Sequence, residues 1–458
     1  MDMDKDVNET PTTAPSRKDF LRTSGVAVAG AAAAVAVASV PEVARASSVQ
    51  VGRDLSPITL TVYRGTVTTG HDWNADLFAK FEKANPNITI KSLYAPLSTT
   101  DEHGLVVAQL SGGSSAVDIY SGDVIWPPEF AAAGWILPVD KYIDEAFRAD
   151  LLPGPKLGCT INGKLYAFPF FTDAGVLYYR TDLLAKYKLS PPKTYMDLVT
   201  AAQLVTKHEP SVPYGMLWQG AQYEGLFCDI CELIWSNGGN ILENFTGPKV
   251  VINSPQNVAA VQYMVDTIQK YKISPLAVTT YKEEDTRHLF QNGKSVFMRN
   301  WPYVWTNGND PKQSKIVGKF QLKPTVVGPS GKVGASCLGG WNMFINAKSK
   351  NPDAAAKLAL FITSFESQKY LSINAGNSPT RSSVYKDPDV LKANPWYAHF
   401  YDVIRSALPR PVSKYETKIS DRFTRQINAA LLGQVAVSTA LANAQRDVEA
   451  LVGSSNQP

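Results

Sequence analysis

The sequence predicts an α/β protein built as two lobes joined by several short crossings, and three observations predict it. Strand and helix patterns alternate from Ile58 onward, and a second alternating unit begins at Gly175. A chain of 458 residues exceeds what one core usually holds, so two domains of roughly 150 to 250 residues are the natural division. No Gly/Ser-rich linker separates the two units.

The first unit opens with Ile58 to Tyr63, a strand of alternating β-branched and polar residues. Trp73, Leu77, Phe78 and Phe81 then recur at helical spacing until Asn85-Pro86. Ile88 to Leu93 reads as a second strand, Leu105 to Leu110 as a helix ended by Gly112-Gly113, and Val117 to Tyr120 as a third strand leading into Gly122 to Pro128. This βαβαβ order implies a largely parallel sheet, which binds ligands beyond the carboxyl ends of its strands. Asp123 and Trp126 stand at such an end.

Cys159 to Tyr166 reads as a hairpin about Asn162-Gly163. Gly175 to Arg180 then gives a strand, and Thr194 caps a helix to Lys207. Val212 to Trp218 is extended, Tyr223 to Ser236 is a long helix, and Ser254-Pro255 opens another to Tyr271. Phe297 to Trp305 gathers two tryptophans, a tyrosine, an arginine and a proline. The expected form is a strand to Arg299, a turn at Asn300 and Trp301, and a short helix from Pro302, with Tyr303 and Trp305 as packing residues. Gly339 to Ile345 is a strand, a helix runs from Asn351-Pro352 to Phe365, and the chain after Pro379 is mostly helical.

Apolar residues make up 44% and charged residues 19%, as in an ordinary globular protein, and a formal charge of +4 is too mild for a nucleic-acid partner. Residues 1–46 read as an export signal. Ser16-Arg17-Lys18-Asp19-Phe20-Leu21 precedes an uncharged Ala/Val/Gly run, and Ala44-Arg45-Ala46 offers a small-x-small cleavage site. The basic motif is twin-arginine-like with Lys18 in the second arginine's place, so export by that route or by the Sec route both stand open. Five scattered histidines lack metal-ligand spacing, and no metal or cofactor is expected. Of four cysteines, Cys228 and Cys231 share a helix face as a thiol pair, and the disulfide pattern is left open.

The residues that carry chemistry sit at strand ends. Trp126, Trp301 and Trp341 offer flat apolar faces suited to a sugar, with a core role as the alternative. Asp123 and Asp173 each follow a strand and precede a turn. Such carboxylates accept sugar hydroxyls, do glycosidase acid/base work, or cap the turn. Gly339-Gly340 lets backbone approach a ligand closely.

Segments along the mature chain resemble family-1 extracellular solute-binding proteins of ABC importers, nearest their trehalose/maltose-binding branch. They are Asp123 to Phe130, Thr172 to Arg180, Tyr223 to Leu226 with Trp235 to Gly239, Phe297 to Pro302, Leu338 to Trp341, and Arg410 to Tyr415. The resemblance implies a two-lobed periplasmic-binding-protein-like fold of type II, with a sugar cleft between lobe 1 (47–168 and 322–372) and lobe 2 (169–321 and 373–458). It places Asp123, Gly339, Gly340 and Trp341 on the first lobe and Asp173, Trp301 and Arg410 on the second, all on the bound sugar. Trp126, Phe171, Glu224, His103 and the loop from Arg64 to His71 are secondary candidates. Phe171 stands where the branch tends to place tyrosine.

The expectation is a monomeric, non-enzymatic, extracytoplasmic receptor. It takes up a mono- or disaccharide and delivers it to an ABC permease with its ATPase subunits. A secreted glycosidase using Asp123 and Asp173 and a receptor for a charged solute such as a polyamine are the alternatives.

Overall fold

A computed structural model describes residues 56–453 apart from 69 and 246–248; the expected export segment lies outside the described residues. Twelve strands are formed among them. They are β1 (Ile58–Arg64), β2 (Ile88–Tyr94), β3 (Ile119–Asp123), β4 (Thr160–Ile161), β5 (Lys164–Leu165), β6 (Phe168–Ala174), β7 (Val176–Arg180), β8 (Tyr214–Leu217), β9 (Ser295–Asn300), β10 (Phe320–Lys323), β11 (Leu338–Ile345) and β12 (Ser378–Pro379).

One sheet has six strands in the order β12-β6-β11-β3-β1-β2, and a second has four in the order β10-β7-β9-β8. Only part of the first is parallel. β1 lies parallel to β2 and β3, as the βαβαβ pattern requires, but β11 enters antiparallel to β3, β6 antiparallel to β11, and β12 antiparallel to β6. The expectation of a largely parallel sheet is corrected for a physical reason. A parallel neighbour needs a crossover of a dozen or more residues, usually a helix, whereas β6, β11 and β12 meet the sheet as the chain passes between lobes.

Local signals set the elements. Asn162 (φ 50°) and Gly163 (φ 78°) make the left-handed pair that closes the β4–β5 hairpin. Thr194 and Asp197 form a reciprocal capping box on helix Tyr195–His208, and Ser254 caps helix Pro255–Gln269. The expected helix from Asn351 to Phe365 is two helices, Pro352–Ile362 and Phe365–Asn374, because Ser364 takes extended backbone and caps the second through the Ser367 amide. The first core packs Leu60, Val62, Phe81 and Phe344 around the six-stranded sheet. In the second lobe, helices Glu224–Ser236, Glu416–Leu431 and Val437–Gly453 share an apolar core.

The sheets change hands later than the expected boundaries. β6 ends the first sheet's share at Ala174, and Gly175 leads into β7 of the second. β10 keeps residues to Lys323 in the second sheet, and β12 returns Ser378 and Pro379 to the first. At the crossing, the Gly175 amide donates to the Cys337 carbonyl at 3.1 Å, and the Leu338 amide donates to the Leu408 carbonyl at 2.8 Å. A side chain on Gly175 would collide with the Glu232 carboxylate and the Arg299 guanidinium.

Candidate ligand-binding site

The carboxyl ends of β1, β3 and β6 and the start of β11 lie along one edge of the first sheet, and the turn after β9 faces them from the second lobe. Between them is a cavity of about 410 Å³, lined by Asp123, Asp173, Trp301, Gly339, Gly340, Trp341 and Arg410 together with Phe171 and Glu224. Sequence positions 123 to 410 thus converge on one space. Asp173 reaches it from β6, on the six-stranded sheet, which corrects its expected place on the second lobe.

Arg410 is a clamp between lobes. It is buried, with Nη2 donating to Asp123 Oδ1 at 2.7 Å and Nη1 donating to Glu224 Oε1 at 2.8 Å. Asp123 Oδ1 also accepts the Ile125 amide at 3.2 Å, so this residue both caps its turn and meets the clamp. Burial raises the Glu224 carboxyl above the ordinary range, and Arg410 pulls it back. Behind Asp123, the Glu102 carboxyl is pushed up to about 9 by burial, with the Asp123 charge adding to the effect.

Asp173 differs from the other carboxylates. Its side chain has no hydrogen-bond or ion-pair partner among the described residues, although it is only 8% exposed. Burial lifts it to about 8, the Arg299 guanidinium opposes this, and the Asp123 charge adds to it. A buried carboxyl without a partner costs free energy that a ligand's hydroxyl donors would relieve.

The aromatic faces are positioned by their neighbours. The Trp301 amide donates to Asn300 Oδ1 at 2.7 Å, and Tyr178 Oη donates to the Trp301 carbonyl at 3.0 Å, so Asn300 holds the turn as expected. The Arg299 guanidinium lies 4.0 Å from the Trp301 ring centre, itself fixed by Glu232 at 2.7 Å and Asp229 at 2.9 Å. The two glycines are needed for packing as well as ligand approach. A Cβ at Gly339 would stand 2.8 Å from the Trp301 ring. A Cβ at Gly340, whose φ is +125°, would stand 2.4 Å from the Phe171 carbonyl, beside the bulge between Trp341 and Asn342.

Trp126 and His103 do not line the cavity. Trp126 is 1% exposed and supports Trp341 edge-on at 6.0 Å, so its role is core packing. His103 Nε2 meets Glu129 Oε2 at 2.8 Å, and Glu129 also accepts from Thr417 Oγ1 at 3.3 Å, which makes this pair part of the seam between lobes. Trp305 packs on Phe320 and Trp396, as expected of a core residue.

Sequence reasoning set Tyr303 aside as packing, yet it lines the cavity, with its hydroxyl donating to Glu284 at 2.6 Å. It also missed Trp73 and Asn377, which line the same space. Trp73 is the first residue of helix Trp73–Ala84, whose cap Asp72 accepts the Ala75 amide, and its apolar character alone does not distinguish a cleft position from a core one. Arg64 lines the cavity but is held by Asp72 at 2.5 Å and by Ser92 and Tyr94. Among the described residues no cluster of three or more His, Cys, Asp or Glu side chains is arranged to hold a metal ion.

Two lobes enclosing a cavity with aromatic walls and polar groups at strand ends define a solute-binding protein. The chain belongs to the bacterial extracellular solute-binding proteins, whose family model matches residues 65–369. It is 40% identical over 395 residues to a probable ABC transporter-binding protein of Deinococcus radiodurans, covering 84% of this chain and 91% of that one. It is similar to maltose-bound T. maritima MalE3, with 41% identity, a TM-score of 0.82, and coverage of 86% of this chain and all of that one. A solute-binding protein from Agrobacterium vitis with bound D-mannitol is 26% identical at a TM-score of 0.76, covering 88% of this chain and all of that one. The family acts outside the cytoplasm, as receptors rather than enzymes, and no helix among the described residues is long and apolar enough to cross a membrane.

Proposed function

We propose that this chain is the sugar receptor of an ABC importer, exported by its first 46 residues, that encloses a mono- or disaccharide between its lobes and delivers it to a permease. The observation that carries this reading is the unpartnered Asp173 carboxyl, buried at the wall of a cavity that also presents Trp301 and Trp341. Hydroxyl donors of a sugar satisfy Asp173, and its C–H faces lie on the indoles. A volume of about 410 Å³ suits one or two sugar rings. The relatives crystallised with maltose and mannitol support a polyhydroxylated ligand, with maltose and trehalose the first disaccharides to test.

The glycosidase reading needs Asp123 free to act, and Arg410 holds it at 2.7 Å. A thermal-shift and calorimetry panel of maltose, trehalose, mannitol and monosaccharides tests the proposal. A ligand at a hundredfold excess over Kd stabilises the folded state by about 2.7 kcal/mol. Binding without hydrolysis, lost in Asp173→Asn, is the expected result. Steady hydrolysis abolished by that substitution, or polyamine binding with no sugar response, overturns it.

A further inference from the structure

Glu232 does not line the sugar cavity, yet its buried carboxylate joins the cavity's aromatic wall to the crossing between lobes. Oε1 accepts Arg299 Nη2 at 2.7 Å and Oε2 accepts Arg299 Nε at 3.0 Å, a two-pronged pairing that fixes the plane of the guanidinium as well as its charge. That guanidinium is the one lying over the Trp301 ring at 4.0 Å. Oε1 also accepts the Cys337 amide at 3.1 Å. Cys337 leads through Leu338 to Gly339, the register partner of Asp173, where an added Cβ would stand 2.8 Å from the six-membered edge of the Trp301 ring. One carboxylate therefore holds both the cation over the ring face and the strand that the ring edge meets. There is no slack around it, since a Cβ on Gly175 would collide with Glu232 Oε1 and Arg299 Nη2. Asp229 differs. Its Oδ1 lies 2.9 Å from Arg299 Nε without accepting a hydrogen bond, so it adds charge and little direction. Gln219 closes the remaining side, with Oε1 accepting Arg299 Nη1 at 3.2 Å and Nε2 donating to the Arg299 carbonyl at 3.0 Å.

We propose that Glu232 is a positioning residue for sugar capture: through Arg299 it holds the Trp301 ring, and through the Cys337 amide it holds the Gly339 strand edge, at a fixed spacing. The inference rests on the sugar-receptor reading. A wall ordered before the ligand arrives spares the ligand the cost of ordering it, so Glu232 contributes to affinity without touching the sugar. Glutamine at this position keeps the volume but offers one acceptor oxygen in place of two, and cannot take both prongs of Arg299.

The test compares the parent with Glu232→Gln and Asp229→Asn as full chains, each with its fold checked by circular dichroism. In the sugar-free proteins, acrylamide quenching of Trp301 is read as the difference from the same chain carrying Trp301→Phe. It should rise in Glu232→Gln and move much less in Asp229→Asn, and exchange of the Cys337 amide should quicken severalfold in Glu232→Gln. Arg299→Lys, which keeps the charge and loses the two-pronged pairing, should raise the quenching as Glu232→Gln does. Calorimetry then uses whichever of maltose, trehalose, mannitol and the monosaccharides binds the parent most tightly. Glu232→Gln should weaken that binding about tenfold, and by less than about twofold when Trp301 is already alanine. Unchanged Trp301 quenching, an equal change in Asp229→Asn, or affinity losses that add across the two sites would overturn the positioning. Unchanged Cys337 exchange would overturn the link to the crossing. A parent that binds no sugar, with quenching and exchange shifting as expected, would overturn the receptor reading alone, because the hold on the ring is read without ligand.

Discussion

Replacing Arg410 with methionine isolates the clamp between the lobes. The substitution keeps much of the side chain's apolar length but leaves Asp123 and Glu224 buried without the charge they share at 2.7 and 2.8 Å. Breaking a buried ion pair from one side costs about 3 to 5 kcal/mol, because the remaining carboxylates stay desolvated. Unfolding entropy near 2.1 cal/mol/K per residue over about 400 residues gives roughly 0.8 kcal/mol per degree, so the melting temperature should fall by about 4 to 6 °C at pH 8. The effect has a sign with pH. Burial raises the Glu224 carboxyl and Arg410 opposes this, so without Arg410 the native state binds more protons than the unfolded chain there, and stability is lost as pH rises through that window. The deficit should therefore shrink at pH 5. Scanning calorimetry at pH 5 and pH 8 on Arg410→Met and Arg410→Met/Glu224→Gln is the assay, with the double variant recovering part of the loss. A variant melting within about 1 °C of the parent at pH 8, or a deficit that grows in acid, would refute the clamp.

Trp301→Ala should weaken sugar binding about 10- to 100-fold in calorimetry with only a small fall in melting temperature, since the ring edges the cavity. Trp305→Ala, which removes contacts to Phe320 and Trp396, should cost about 3 kcal/mol in denaturant titration and leave affinity near the parent value; equal affinity losses would contradict this division. With Asp173 held up to about 8 in the free protein and met by sugar hydroxyl donors in the complex, affinity should rise from pH 6 to pH 8. Binding should also release a proton, read as a buffer-dependent enthalpy that vanishes in Asp173→Asn. Gly340→Ala should destabilise the fold by at least about 2 kcal/mol in the same denaturant titration, because φ +125° and a carbonyl 2.4 Å from the new Cβ leave no relaxed conformation.

The sequence by itself determined the alternation of strands and helices and the two-lobe division, and it singled out Asp123, Asp173, Trp301, Gly339, Gly340, Trp341 and Arg410, which the fold gathers on one cavity. Those signals are local: a capping Thr194, an Asn162-Gly163 turn, and aromatic or acidic residues stranded at the ends of apolar runs. Tertiary structure decided what depends on pairing between distant segments. Sheet partners placed Asp173 with the first sheet, because β6 and β11 pair across more than a hundred and fifty residues of chain. Burial separated Trp341, at the cavity, from Trp126 beneath it, although both stand beside turn residues. Arg410 reads in the sequence as a hydroxyl donor, and the fold sets two carboxylates from different lobes against it. Charge partners of this kind follow from which segments the packed core brings within a few ångströms, a property of the whole chain and of no window within it.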